Sequence, residues 1–150
     1  MRFTPSKLNA FLFFKLPSAY ISGVRVKSIT ESECIAVVTH RWINQNPFKS
    51  IYFAVQAMAA ELTTGVLVMY HIRKSGCKIS MLVLSNKSHF TKKAIGKISF
   101  ICNDGYKIEE VIKKAIETKQ GQTCLMKSVG INQEGEQVSE FYFEWTVKVK

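Results

Sequence analysis

The sequence predicts an α+β protein in which an antiparallel β-sheet wraps around a long central α-helix, with a further helix at the N-terminus. Three observations carry that expectation. Residues 50–70 are rich in alanine, methionine and leucine and apolar nearly all round, so a helix there needs cover on every side. The segments flanking it alternate apolar and polar residues, or bunch β-branched ones, between turn signals. With 150 residues, 47% of them hydrophobic and 21% charged, the chain suits one globular domain, residues 1–150, with a proper core.

The elements follow in order. Thr4 before Pro5 marks a helix start, and Leu8, Phe11, Leu12 and Leu16 give the helix an apolar face. Pro17 and Gly23 close it. GVRVKSI and CIAVVTHRW, joined by the turn TESE, read as two antiparallel strands. After NQNP the long helix runs from about Ser50, a plausible N-cap, to Tyr70, about 30 Å at 1.5 Å per residue. That length matches a bilayer, but Gln56, Glu61, Thr63 and Thr64 lie in its middle and a central acid costs on the order of 3 kcal/mol to insert. No membrane span is expected. CKISMLVLSN and SHFTKKAIGKISFIC read as strands, DGYKIEEVIKKAIETK as a surface helix with Ile108, Val111, Ile112 and Ala115 inward, and QTCLMKSVGIN and VSEFYFEWTVKVK as a final hairpin around QEGE.

Composition narrows the function classes. The formal charge of +10 suits nucleic acid, an anionic membrane, an acidic small ligand or plain solvation. The lysines are scattered, with no arginine-rich run and no aromatic-interleaved motif, so no nucleic-acid partner is expected. Cys34, Cys77, Cys102 and Cys124 form no CxxC pair, and His40, His71 and His89 stand singly; reduced thiols, no metal, no cofactor and a cytoplasmic location are expected. Lys15 directly follows Phe11–Phe14 without a small-residue cleavage site, which argues against a signal peptide.

The long helix carries the most informative residue, Glu61, an acid in an apolar run. Burial disfavours its charged form, so it is either satisfied structurally or used. The stretch NPFKSIYFAVQAMAAELTTG resembles the helix entry of hotdog-fold thioesterases of the phenylacetate-pathway type and of a related, uncharacterised thioesterase-like branch. Asn46 matches that family's asparagine, and Glu61, preceded by Ala60, matches its acid; Tyr52, Phe53 and Ala54 stand where the family carries His-Gly-Gly. TKKAIGKISF and GINQEGEQVSEFYFEWTV resemble later strands of the superfamily, so the likeness runs along nearly the whole chain.

The resemblance implies the hotdog fold and hydrolysis of an acyl-CoA or acyl-carrier thioester at a site completed by a second subunit, hence a homodimer or a tetramer. Glu61 is then the general base or nucleophile. Asn46 orients the carbonyl or the water, although Asn-Pro is also an ordinary turn pair. Thr64, one turn beyond Glu61, is a candidate to hold the water. The free N–H groups near Tyr52, Phe53 and Ala54 are candidates for the oxyanion hole. Lys92 and Lys93 are candidates for the phosphates of coenzyme A. Phe53 in place of a glycine narrows the entry, which leaves open a protein that binds an acyl-CoA or fatty-acyl group without cutting it.

Overall fold

The computed structural model describes residues 2–150. Helix α1, Pro5–Lys15, begins where Thr4 Oγ1 accepts the N–H of Lys7 at 3.3 Å. It buries Leu8 and Leu12, and Asn9 clamps both backbone groups of Val26 at 3.1 and 2.8 Å, which fixes α1 against the sheet edge. Leu16 lies outside the helix and is largely exposed, because Pro17 cannot continue α1 and starts a second short helix, α2, Pro17–Ile21.

Strands β1, Arg25–Ile29, and β2, Cys34–Thr39, pair antiparallel across the expected turn. After a 3-10 turn at Trp42–Asn44 comes the long helix α3, Phe53–Ser75. Then follow β3, Ile79–Phe90; β4, Lys97–Cys102; α4, Gly105–Thr118; β5, Gln122–Ile131; and β6, Gln137–Val149. The six strands form one sheet in the order β1-β2-β4-β5-β6-β3, every pairing antiparallel. The sheet closes over α3. Leu62, Val66, Leu67 and Val68 of the helix share a core with Ile98 and Phe100 of β4, Met126 of β5, and Phe141, Trp145 and Val147 of β6. This is the hotdog arrangement. By length and composition α3 would suffice to cross a bilayer, yet 61% of its apolar stretch is buried inside the protein.

Three boundaries differ from the sequence reading, both ends of α3 and the end of β3. Ser50 does not cap α3; it is buried, and its hydroxyl and N–H are bound to the Asn46 side chain. That bonding folds residues 46–50 into a turn, so the helix starts at Phe53, and it runs on to Gly76, whose φ of 72° ends it. The polar stretch Ser85–Ser88 looked like a break between strands. The 13-residue β6 instead keeps β3 extended to Phe90, with a bulge between Val83 and Ser85. All four cysteines are free, and Cys34 and Cys102 sit opposite each other on neighbouring strands. Burial pushes the Cys102 thiol up to about 12, that of Cys124 to about 11, and that of Cys34 higher still. At neutral pH these three stay protonated and are poor nucleophiles.

Candidate active site

Glu61 projects from the middle of α3 toward the corner between α1 and α2. It lines an apolar hollow of about 290 Å³ with Leu16, Pro17, Ala19, Met58 and Leu62. The side chain is half-buried, and among the described residues no hydrogen bond or ion pair reaches its carboxylate, although Lys15 lines the same hollow. Burial alone pushes its carboxyl above the usual carboxylate range. Room for the group comes from Gly65, one turn on. A β-carbon there would stand 3.4 Å from Glu61 Oε1 and 3.2 Å from the Trp145 ring. The carboxylate therefore lies forward along the helix, beside a position that has no side chain.

Thr64 faces the core. Its hydroxyl donates to the Glu61 carbonyl at 2.8 Å and accepts the Trp145 indole N–H at 2.9 Å. It is fully buried and anchors β6 to the helix just behind Glu61.

The other residues singled out in the sequence gather at the start of α3. Asn46, Phe53, Lys92 and Lys93 line one cleft of about 410 Å³, together with Phe48, Gln56 and Phe90. The Asn46 carbonyl oxygen accepts the N–H of Phe48 at 2.9 Å and of Ser50 at 3.2 Å, and its amide donates to Ser50 Oγ at 2.9 Å. Most of its capacity is thus spent on shaping the loop that aims α3. The first turn of the helix leaves donors open. Tyr52 N–H is bound to the Asn44 carbonyl and Val55 N–H to the Tyr52 carbonyl, whereas no acceptor reaches the N–H of Phe53 or Ala54 among the described residues. Those two amides and the helix dipole favour a negative charge at this point. Above them, the half-exposed rings of Tyr52 and Phe53 pack edge-on at 5.1 Å, and Phe53 meets Phe90 at 6.2 Å. Lys92 pairs with Glu136, and Lys93 Nζ reaches the Phe48 carbonyl at 3.5 Å.

The candidate residues therefore fall into two separate groups on the chain. Glu61 is eight residues from Phe53, about 12 Å along the helix, and lines a different cavity. Gln56 carries weight that the sequence reading did not give it. It is 4% exposed, lines the cleft, and its side-chain oxygen has no partner. The signal was present, a second polar residue in the same apolar run, but it served only as an argument against a membrane span.

A family model described as "Domain of unknown function (DUF4442)" matches residues 6–147. The chain belongs to the DUF4442 family. Among solved structures, a Pseudomonas aeruginosa protein described as a "Probable Thioesterase" aligns with a TM-score of 0.82 at 19% identity, covering 98% of this chain and 97% of that one. A protein of unknown function from Chlorobaculum tepidum aligns at 0.83 with 15% identity, over 97% of this chain and 94% of that one. A thioesterase from Haemophilus influenzae aligns at 0.70 with 14% identity, over 99% and 93%. At such identities the likeness establishes the fold, which this DUF4442 chain shares along its length. No curated protein is similar enough in sequence to match it.

Proposed function

We propose that this DUF4442 protein is an acyl-thioester hydrolase acting on an acyl-CoA or acyl-carrier thioester, with Glu61 as its general base. The observation that carries the reading is the unpartnered, half-buried Glu61 carboxyl in an apolar hollow, raised by burial toward the pH at which a base is most effective. Glu61 removes a proton from water as the water oxygen bonds to the thioester carbon. The carbonyl oxygen becomes an oxyanion, which the N–H groups of Phe53 and Ala54 hold. Collapse of the intermediate breaks the carbon–sulfur bond, the thiolate leaves, and the proton on Glu61 passes to solvent or sulfur. One correctly placed donor is worth about 3–4 kcal/mol in such a step.

Because the acid and the amides lie about 12 Å apart along one helix, the reading requires a second copy, whose helix start meets this Glu61. Edge strand β3 supports that assembly. It is 12 residues long, with β6 on one side and no strand on the other, and Leu82 and Leu84 are exposed on it. Lys92 and Lys93 line the cleft, and in this reading Lys93, and Lys92 once it leaves Glu136, meet the phosphates of the carrier. Three buried, protonated thiols fit a reducing compartment such as the cytoplasm.

A second reading is favoured by one feature. The Tyr52–Phe53–Phe90 aromatic cluster covers the helix start and would suit a protein that holds an acyl thioester without cutting it. Thiol release from acyl-CoA esters of graded chain length decides between them. Turnover by the wild type that falls about 10²–10⁴-fold in Glu61→Gln supports the hydrolase. Saturable binding without release, in both proteins, establishes the binder.

A further inference from the structure

Three segments meet at one end of the sheet. The end of α2 is tied to the 3-10 turn by Asn44, whose Nδ2 donates to the Ser22 carbonyl at 2.9 Å. The segment after β2 is tied to the segment before β4 by His40 N–H on the Gly96 carbonyl and Ile51 N–H on the Ala94 carbonyl, both at 2.9 Å. The tip so formed is held by backbone bonds and the Asn44 side chain, yet it is apolar outward. Trp42 is 83% exposed, Phe48 70%, Ile21 62%, Ile95 56% and Ile43 52%. Large apolar side chains this open are not core residues, and a rigid tip does not fold them inward.

The loops that carry them are basic, with one acid beside them, Glu136 of the β5–β6 hairpin, already paired with Lys92. From Cys34 to Asn103 the chain contains a single acid, Glu61, and that residue sits in the hollow beneath the α1–α2 corner. Arg41 and Lys49 flank the apolar tip from the same loop, and Lys93 reaches it from the segment before β4.

We propose that this tip docks on an anionic membrane surface, with Trp42 and Ile43 in the interfacial layer and Arg41 and Lys49 on the lipid headgroups. Tryptophan prefers that layer because its ring is apolar and its N–H remains wet, and lysine and arginine spread along its polar side. A second copy docked by the same tip would set Arg41, Lys49 and Lys93 against their own counterparts. A nucleic acid would find stacking faces in Trp42 and Phe48, but the three isoleucines of the tip offer bases none, whereas an interfacial layer takes all five. The inference does not rest on thioester chemistry and concerns peripheral contact, not a span.

The test is co-sedimentation of the full chain with phosphatidylcholine vesicles, with and without phosphatidylglycerol, over a range of salt. Binding should be at least about tenfold stronger to the anionic vesicles and should fall steeply with salt. Trp42→Ser with Ile43→Ser should weaken it at least about tenfold, with melting temperature and sizing profile unchanged. Arg41→Gln with Lys49→Gln should flatten the salt dependence. Equal or absent binding to the two vesicle types overturns the proposal, as does full binding by the Trp42/Ile43 variant. A changed sizing profile in that variant assigns the tip to a second copy, and displacement of the protein from vesicles by single-stranded DNA assigns it to nucleic acid; either result also overturns the proposal.

Discussion

Replacing Glu61 with glutamine should raise stability at neutral pH while removing activity. The carboxyl is drawn above its usual range by burial, with no compensating partner, so the folded protein holds the proton more tightly than the unfolded chain does. Below the unfolded carboxyl's titration, near pH 4, the group is protonated in both states and burial costs little. As pH rises through the unfolded and then the folded value, the unfolded state loses its proton first and the native state carries a growing penalty, complete once the folded group has also lost its proton. For a half-buried carboxylate lacking partners that penalty is about 1–2 kcal/mol, and glutamine keeps the shape without the charge. In a chain of this size it corresponds to a gain of about 3–6 °C in melting temperature. The assay is thermal unfolding of wild type and Glu61→Gln at pH 4 and pH 8. The reasoning fails if the variant is no more stable at pH 8, or if it gains equally at pH 4, which would trace the effect to packing. In the wild type, turnover should rise with pH through the raised carboxyl value, because only the deprotonated acid accepts the water's proton.

Thr64→Val should destabilise by about 1–3 kcal/mol by leaving the Trp145 indole N–H without its acceptor, and Thr64→Ser should restore most of the loss; urea unfolding measures both, and equal losses would deny the bond its role. Leu82→Lys with Leu84→Lys places charge on the open edge of β3 and should give a monomer by light scattering that has lost thioester turnover. A dimer surviving with full activity would remove β3 from the assembly. Phe53→Ala takes away the ring lodged between Tyr52 and Phe90 and should raise kcat/KM for bulky acyl groups about tenfold, and an unchanged value would show that the ring does not restrict entry.

Much of the fold was legible because it follows from local pattern. Thr4-Pro5 announced α1, and the periodicity of Ile108, Ile112 and Ala115 announced the inner face of α4. The all-round apolarity of residues 50–70 required a wrapping sheet. The start of α3 was misjudged because Ser50, an ordinary capping residue, is recruited by Asn46 four residues away, a competition that propensity does not reveal. The length of β3 depends on β6, some fifty residues later, and no local rule reports such a partner. For the site, a lone acid in an apolar run picked out Glu61 and the family resemblance pointed to the helix start, but the sequence could not show that they line separate cavities. Nor could it show that Thr64 turns inward to Trp145, since one face of a helix includes both the side toward the solvent and the side toward the sheet.

Gly65 has an implication for how this protein changes under selection. A glycine inside a helix is worse than alanine by about 1 kcal/mol, so helix propensity alone pushes toward filling the position and the packing against Trp145 opposes it. A methyl there would crowd the Trp145 ring at 3.2 Å and only touch Glu61 Oε1 at 3.4 Å, whereas a larger side chain would take the space the carboxylate occupies. The acid lies over a small gap, and a change that fills it would touch no residue that a search for reactive groups would mark. Sequences of this architecture with a residue larger than alanine there would be scaffolds whose central acid has lost its seat.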